Sequence, residues 1–153
     1  MPRGPDVSDV TLVTHAQRAS PYGATVGERG TQRKGDIATS RAVATFTAAG
    51  CDVALPFTES AAYDLVVDDG AGLHRVQCKY ASTMDVDLRR IHSNSKGYVA
   101  KRVAVGTYDW LYVLRPGGAE YLVRQCLSGR RSFTPQEEHR IGAVAESGLL
   151  QLP

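Results

Sequence analysis

Three polar residues stand at regular positions in a stretch that otherwise has the pattern of two β-strands, YDLVVDDGAGLHRVQCKY, residues 63–80. Asp64 opens the first run, while Gln77 and Lys79 lie near the end of the second. Side chains two positions apart project from the same face of a strand, so Gln77 and Lys79 share a face. Antiparallel pairing of the two runs would place Asp64 beside them. A carboxylate, an amide oxygen and an ammonium group would then converge at one edge of a sheet.

These three groups suit the hydrolysis of a phosphodiester bond. Mg²⁺ prefers oxygen ligands and keeps several waters, so one carboxylate, an amide or backbone carbonyl and the phosphate suffice to hold it. The bound ion polarises the phosphate and lowers the pKa of a water ligand. Lys79 would orient that water and stabilise the developing charge. The alternative is a cross-strand ion pair between Asp64 and Lys79, worth on the order of a few tenths of a kcal/mol.

The elements around this stretch predict a small α/β domain, residues 31–153, with a mixed central sheet flanked by helices. An apolar stripe of helical period predicts a helix over residues 35–49, ended by Gly50. A short strand follows at residues 51–57. A second hairpin is predicted at residues 110–114 and 120–123, turned at RPGG. Residues 1–30, rich in Pro and Gly, are predicted to form an N-terminal arm.

Two further predictions concern the second half of the chain. Tyr108, Trp110 and Tyr112 alternate and are expected on one face, as part of the core rather than as a platform for stacking bases. A last helix is expected from about Pro135, capped by Thr134. Its apolar residues would pack on the sheet or form a dimer contact: Ile141, Val144, Leu149 and Leu150.

Composition indicates one intracellular domain. The chain has 153 residues, no apolar run of the roughly 20 residues that span a bilayer, and no apolar stretch typical of a signal peptide. The three cysteines, Cys51, Cys78 and Cys126, and the scattered histidines suggest neither a disulfide framework nor a zinc site. We therefore expect a cytoplasmic protein with reduced thiols, associated with the nucleoid when bound to DNA.

Charge is unevenly distributed along the chain. Residues 52–69 contain five acids and no Lys or Arg, whereas residues 70–153 contain twelve basic residues against seven acids. Residues 81–106 are polar and basic and are predicted to form an exposed loop that contacts DNA phosphates, with room for a short element at residues 98–105. A solubilising surface charge is an equal alternative for any one residue. The candidate contacts are Arg89, Arg90, Ser93, Asn94, Lys96, Lys101 and Arg102, with Arg130, Arg131, Arg33 and Lys34 as a second rank.

The stretch from Gly35 to Lys79 resembles the PD-(D/E)xK nuclease superfamily, through GDIA, PFTESAAYDLVV and RVQCKYA, and the later strand DWLYVL is also similar. The resemblance implies a restriction-endonuclease-like fold and a Mg²⁺-dependent endodeoxyribonuclease acting on double-stranded DNA, with Mn²⁺ as an alternative cofactor. It also implies that Asp64 and Gln77 bind the metal and that Lys79 positions the water.

Two departures from the family pattern bear on the function. Gln77 replaces the second acid, which resembles the PD-(D/Q)xK variant of intron-encoded homing endonucleases and favours site-specific cleavage. Thr39 stands where many relatives carry a Glu on the first helix. Asp36, one turn earlier, and Glu59, in the loop before Asp64, are candidates for the missing acid.

Three functions stay open at this point. The first is a homing-type endonuclease, and the second is a nuclease selective for branched DNA that resembles Holliday-junction resolvases. The third is a catalytically impaired nuclease fold that serves as a DNA-binding module. Because cutting both strands commonly needs two active sites, a homodimer or a higher homo-oligomer is expected.

Overall fold

One long helix packs across the sheet of this protein. The computed structural model describes residues 26–94 and 97–142, and the helix α1 spans Val26–Ala48. It begins nine residues before the predicted start. The prediction missed this part because residues 30–36 are polar and exposed and so carry no apolar stripe. Gly50, with φ +84°, follows its end as predicted. No helix in the described residues has the length and apolarity needed to cross a bilayer.

The central sheet is mixed, as predicted. In chain order the strands of the described residues are β1 (Asp52–Ala54), β2 (Leu65–Asp68), β3 (Leu73–Tyr80), β4 (Val86–Asp87), β5 (Arg90–Asn94), β6 (Gly97–Lys101), β7 (Trp110–Leu114), β8 (Glu120–Val123), β9 (Ser132–Phe133) and β10 (Arg140–Ile141). Six of them form the sheet β1-β2-β3-β7-β8-β10. The pairing of β3 with β7 is parallel and the other pairings are antiparallel. The α/β class and the restriction-endonuclease-like architecture are confirmed.

Both faces of the sheet are covered, which explains why all five residues of β7 are buried. One face packs against α1 through Ala38, Phe46 and Tyr112. The other face holds a second cluster that includes Tyr108 and Leu111. A strand buried on both faces has a nearly continuous apolar sequence, which WLYVL shows.

The predicted aromatic stripe is core, but its placement on one face is wrong. Trp110 and Tyr112 face α1, whereas Tyr108 lies in the cluster on the opposite face. The alternation rule applies within a strand, and β7 begins only at Trp110, two residues after Tyr108.

The exposed loop predicted for residues 81–106 is wrong over most of its length, because this region contains β4, β5 and β6, of which only β6 overlaps the short element expected at residues 98–105. β5 and β6 pair antiparallel from Arg90↔Lys101 to Asn94↔Gly97, so the segment is a hairpin. β4 pairs with β9, which lies some 45 residues further along the chain. The polar composition concealed these strands, because their sequences lack the alternation of apolar and polar residues that predicts a half-buried strand.

The last predicted helix is wrong over its described part. Glu137–His139 form one 3₁₀ turn and Arg140–Ile141 form β10, which pairs with β8. The side chain of Thr134 donates a hydrogen bond to Asp85 instead of capping a helix. Ile141 is buried in the core, as predicted. The remaining residues of that prediction, Val144, Leu149 and Leu150, lie outside the described residues, as does most of the predicted arm.

A buried carboxylate fixes α1 to the sheet. Glu120, 5% exposed, accepts a hydrogen bond from Arg41 Nε at 2.7 Å, and another from the Tyr112 hydroxyl at 2.8 Å. Thr45 on α1 donates its hydroxyl to the same carboxylate. Burial, followed by the hydrogen bond to Glu120, raises the pKa of Tyr112. A buried charge is tolerated when its lone pairs are satisfied in this way.

We predict that Glu120→Ala lowers the free energy of unfolding by about 2–4 kcal/mol, because it leaves the hydroxyls of Thr45 and Tyr112 buried without an acceptor. Urea denaturation followed by far-UV circular dichroism measures this loss. Tyr112→Phe, which removes one hydrogen bond and keeps the ring, should cost about 1 kcal/mol. If Glu120→Ala lowered the free energy of unfolding by less than Tyr112→Phe does, the carboxylate would not be what fixes α1 to the sheet.

Candidate active site

The carboxylate of Asp64 is held at the point where β2 reaches β3. The register Leu65↔Val76 places Asp64 opposite Gln77, and the Asp64 N–H donates to the Val76 carbonyl at 2.9 Å. The N–H of Cys78 donates to Asp64 Oδ2 at 2.7 Å. The side chain of Asp64 therefore acts as the acceptor that a neighbouring strand would otherwise provide, and its position is fixed by the backbone of β3.

Gln77 contacts this carboxylate directly. Its amide nitrogen donates to Asp64 Oδ2 and also lies 3.4 Å from the Cys78 carbonyl. The predicted meeting of Asp64 and Gln77 is therefore present. The group that Gln77 turns toward Asp64 is the nitrogen, however, so presenting the amide oxygen requires half a turn about its last torsion.

Lys79 lies two residues beyond Gln77 on β3 and so on the same face. Its Nζ donates to the Arg89 carbonyl at 3.3 Å. Asp87 lies close by, and its pKa is lowered to about 2, chiefly by the hydrogen bond from Arg89, with the charge of Lys79 as a smaller cause. Sequence reasoning did not single out Asp87. Asp87 stands two residues before Arg89, and this spacing of opposite charges could have indicated the ion pair between them.

A cleft of about 280 Å³ opens beside Asp64. Thr39 of α1 and Glu59 of the loop between β1 and β2 also line it. Of the two candidates for an extra acid, Glu59 thus shares the cleft with Asp64. Asp36 is exposed on α1 and is not among the lining residues. The position where relatives carry a Glu, Thr39, does face this cleft.

Thr39 also contacts β3. Its side chain hydrogen-bonds the Cys78 thiol, which is buried. Burial, and after it the charge of Asp64, raise the pKa of Cys78 well above its usual value. This thiol therefore stays protonated at neutral pH and has a structural rather than a nucleophilic character. All three cysteines are free in the structure.

The oxygen atoms around Asp64 fit a hard cation that retains much of its water. The available donors are the Asp64 carboxylate, the Cys78 carbonyl and, after it turns, the Gln77 amide oxygen. In the described part of the chain, no three His, Cys, Asp or Glu side chains form a group that could hold a metal. The donor set suits Mg²⁺, which uses few protein ligands, and does not suit zinc, which takes about four nitrogen or sulfur ligands.

An ion pair that joins β3 to the residue before β7 was also missed by the sequence reasoning. Arg75 donates twice to Asp109, at 2.9 Å and 3.1 Å, and its Nη1 donates to the Gly106 carbonyl at 2.7 Å. The Asp109 N–H in turn donates to the Arg75 carbonyl. Arg75 stands two residues before Gln77 and four before Lys79, on the same face of β3, and this spacing could have indicated it in the sequence. The pair aligns the start of β7 with β3, and so supports the parallel register beneath the site.

The predicted DNA contacts of the second half fall into three groups. Arg89 is engaged by Asp87 at 2.7 Å. Arg102 is exposed. The others belong to the β5–β6 hairpin and its connection: Arg90, Ser93 and Asn94 lie on β5, Lys101 on β6, and Lys96 outside the described residues.

The second-rank candidates Arg130 and Arg131 are exposed and lie next to the base of that hairpin. The Leu88 N–H donates to the Arg131 carbonyl at 3.0 Å, and the Gly129 N–H donates to the Val103 carbonyl at 2.9 Å. The fold thus brings the basic segment at residues 129–132 beside the hairpin, although the two are far apart in sequence.

We predict that Asp64→Ala lowers the free energy of unfolding by about 1–3 kcal/mol, because the Cys78 N–H loses its acceptor. Asp64→Asn keeps a side-chain oxygen and should cost less. Urea denaturation of both variants without added metal checks this difference. Equal stability of the alanine variant and the unmodified protein would contradict the structural role of the carboxylate.

Comparisons with known proteins identify the fold and the family. A model of the PD-(D/E)XK endonuclease family matches residues 29–121, more than half of the chain and the region that contains Asp64, Gln77 and Lys79. Among solved structures, the bacterial homing endonuclease I-Ssp6803I is similar, with a TM-score of 0.58 and 24% identity over 70% of this chain and 78% of that one. A search of curated protein sequences finds no match. The chain belongs to the PD-(D/E)XK endonuclease family.

Proposed function

We propose that this protein is a Mg²⁺-dependent endonuclease that hydrolyses phosphodiester bonds of double-stranded DNA, with Mn²⁺ as an alternative cofactor. The observation that carries the proposal is the pairing of Asp64 with Gln77 across β2 and β3, with Lys79 next on the same face. The family of the chain supports nuclease activity. The cofactor and the roles of the three residues are our inference from the donor set.

Each residue has a role that follows from its position. The metal, when bound, polarises the scissile phosphate and makes a bound water acidic. Asp64, held by the Cys78 N–H, supplies the fixed carboxylate ligand, and Gln77 turns its amide to present oxygen. Lys79, beside the Arg89 carbonyl, orients the attacking water and offsets the negative charge that develops on the phosphate.

DNA binding is assigned to the basic surface around the β5–β6 hairpin. Arg102, Arg130 and Arg131 are exposed there and can approach phosphates. Arg89 would have to exchange Asp87 for a phosphate. The backbone positions of Arg90, Ser93, Asn94 and Lys101 place them on the same hairpin. We propose site-specific, homing-type cleavage by a homodimer or a higher homo-oligomer, supported by Gln77 and the likeness to a homing endonuclease fold.

A second function is motivated by the composition of the cleft. Thr39 occupies a wall of the cleft where a carboxylate would strengthen metal binding, and Gln77 brings a neutral amide where a second acid would bring a charge. A nuclease fold with this weakened site could serve as a DNA-binding module without cleavage. A structure-selective nuclease acting on four-way junctions is a third candidate, and its substrate can be included in the same assay.

Plasmid, linear duplex and four-way-junction DNA incubated with the protein and Mg²⁺ test these alternatives. We expect cleavage that EDTA abolishes, and losses of at least about 100-fold in rate for Asp64→Asn and Lys79→Ala, in line with the loss of a catalytic group. Asp64→Asn is used in place of Asp64→Ala because it preserves an acceptor for the Cys78 N–H. Salt-sensitive binding with no cleavage of any substrate would establish the binding module instead. Equal cutting by Asp64→Asn would refute the assignment of the site.

Thr39→Glu tests whether the cleft is short of one acid. A carboxylate at this wall should strengthen binding of a divalent cation, because each added oxygen charge favours it. We expect the Mg²⁺ concentration for half-maximal cleavage to fall several-fold. Thr39→Gln, of equal size and without charge, is the control. Calorimetric titration with Mn²⁺ gives an independent reading, and equal affinities of the two variants would show that position 39 does not reach the metal.

A further inference from the structure

A second groove lies on the opposite flank of α1 from the Asp64 cleft. It has a volume of about 460 Å³ and runs between α1 and the turn that joins β7 to β8. We call it the α1 groove. Its lining residues are Ile37, Arg41, Tyr80, Leu114, Arg115, Gly117 and Gly118.

Two cations of α1 lie at or beside this groove: Arg41 lines it, and Lys34 lies next to it, against the ring of the lining residue Tyr80. Positions 34, 37 and 41 follow helical spacing and so lie on the same side of α1. Lys34 Nζ lies 5.8 Å from the centre of the Tyr80 ring and donates to the Ser82 hydroxyl at 3.3 Å. Arg41 is half-exposed even though its Nε is bound to Glu120. Because Glu120 offsets the charge of Arg41, the positive charge on this side of the groove comes from Lys34.

The opposite wall adds a third cation, Arg115. Its Nη2 donates to the Met84 carbonyl at 2.6 Å, and its guanidinium lies 5.2 Å from the Tyr121 ring. These contacts fix its position without neutralising its charge. Among the described residues, neither Arg115 nor Lys34 takes part in an ion pair, whereas Arg75, Arg89 and Arg140 all do. The charge of both residues is thus available to an anion.

The floor of the groove is open backbone. Gly117 and Gly118 have φ of +83° and +88°, and a Cβ at either position would meet nothing within 4 Å. Such glycines leave room for a ligand to approach the main chain closely.

The α1 groove and the candidate active site lie at the same end of the central strands, where β3 and β7 terminate. Tyr80 follows Lys79 directly and pairs with Leu114, so the parallel strands β3 and β7 end together. Two to three strand spacings of about 4.8 Å separate β2 from the β7–β8 turn, which gives about 10–15 Å along the edge. At about 3.4 Å per base pair, this corresponds to about three or four base pairs of duplex DNA.

We propose that the α1 groove binds a backbone phosphate of the DNA substrate, three or four base pairs from the phosphate that is cut, through Lys34 and Arg115. The proposal rests on the proposed function. It assigns a second contact surface in addition to the basic surface around the β5–β6 hairpin. Two contact surfaces would then position the scissile phosphate relative to Lys79.

The salt dependence of DNA binding tests the groove. Fluorescence anisotropy with a labelled duplex of random sequence, in EDTA, gives the slope of log affinity against log salt concentration. Each phosphate contact contributes about 0.9 to this slope. We expect Lys34→Gln to reduce its magnitude by about one contact, and Lys34→Arg to leave it unchanged.

Arg124→Gln is the matched control. It removes the same charge just after β8, near Trp110 at the start of β7 and so at the opposite end of the strands from the groove. It should leave the slope unchanged. Equal slopes for the Lys34→Gln and unmodified proteins, or equal losses in Lys34→Gln and Arg124→Gln, would overturn the proposal.

Because binding is measured in EDTA, its result is independent of cleavage. A changed slope in a protein that cuts no DNA would support the groove while refuting the nuclease function. Normal metal-dependent cutting with an unchanged slope would refute the groove alone.

Discussion

The Cys78 N–H bound to Asp64 Oδ2 connects the candidate site to the centre of the sheet. β3 has neighbours on both sides, β2 and β7, and both faces of the sheet are covered by buried clusters. Movement of the carboxylate would leave a backbone N–H of this strand without its acceptor, which opposes such movement. The same bond makes Asp64 a structural residue as well as a candidate ligand, so loss of activity in an alanine variant cannot by itself identify a ligand.

The helix α1 connects the two surfaces that we propose for the substrate. Thr39 on one flank lines the Asp64 cleft, and Arg41 on the other lines the α1 groove. Glu120 holds the helix in place through Arg41 and Thr45. A polar network buried under a helix is stable when every member is paired, and it then fixes one orientation of that helix. The spacing between cleft and groove is therefore a property of the core.

The fold class, the second hairpin and the meeting of Asp64 with Gln77 could be predicted because they depend on local patterns. Turn residues such as RPGG stop a strand wherever they occur, and side-chain alternation holds along any strand. The errors arose where local patterns were weak or competed with pairing. The sequence of the polar β5–β6 hairpin has no regular alternation of apolar residues, and residues 140–141 pair with the edge of β8 in place of forming a helix.

The sequence alone determined which groups could do chemistry and which of them share a strand face. Backbone geometry places residues two positions apart, such as Gln77 and Lys79, on the same face. Only the tertiary structure decided which distant groups join them. It placed Glu59 and Thr39 in the cleft but not Asp36, joined Arg75 to Asp109, and set Lys34 near Tyr80. These contacts depend on strand register and on the packing of α1, which arise from the sum of many weak interactions across the chain and leave no local signature.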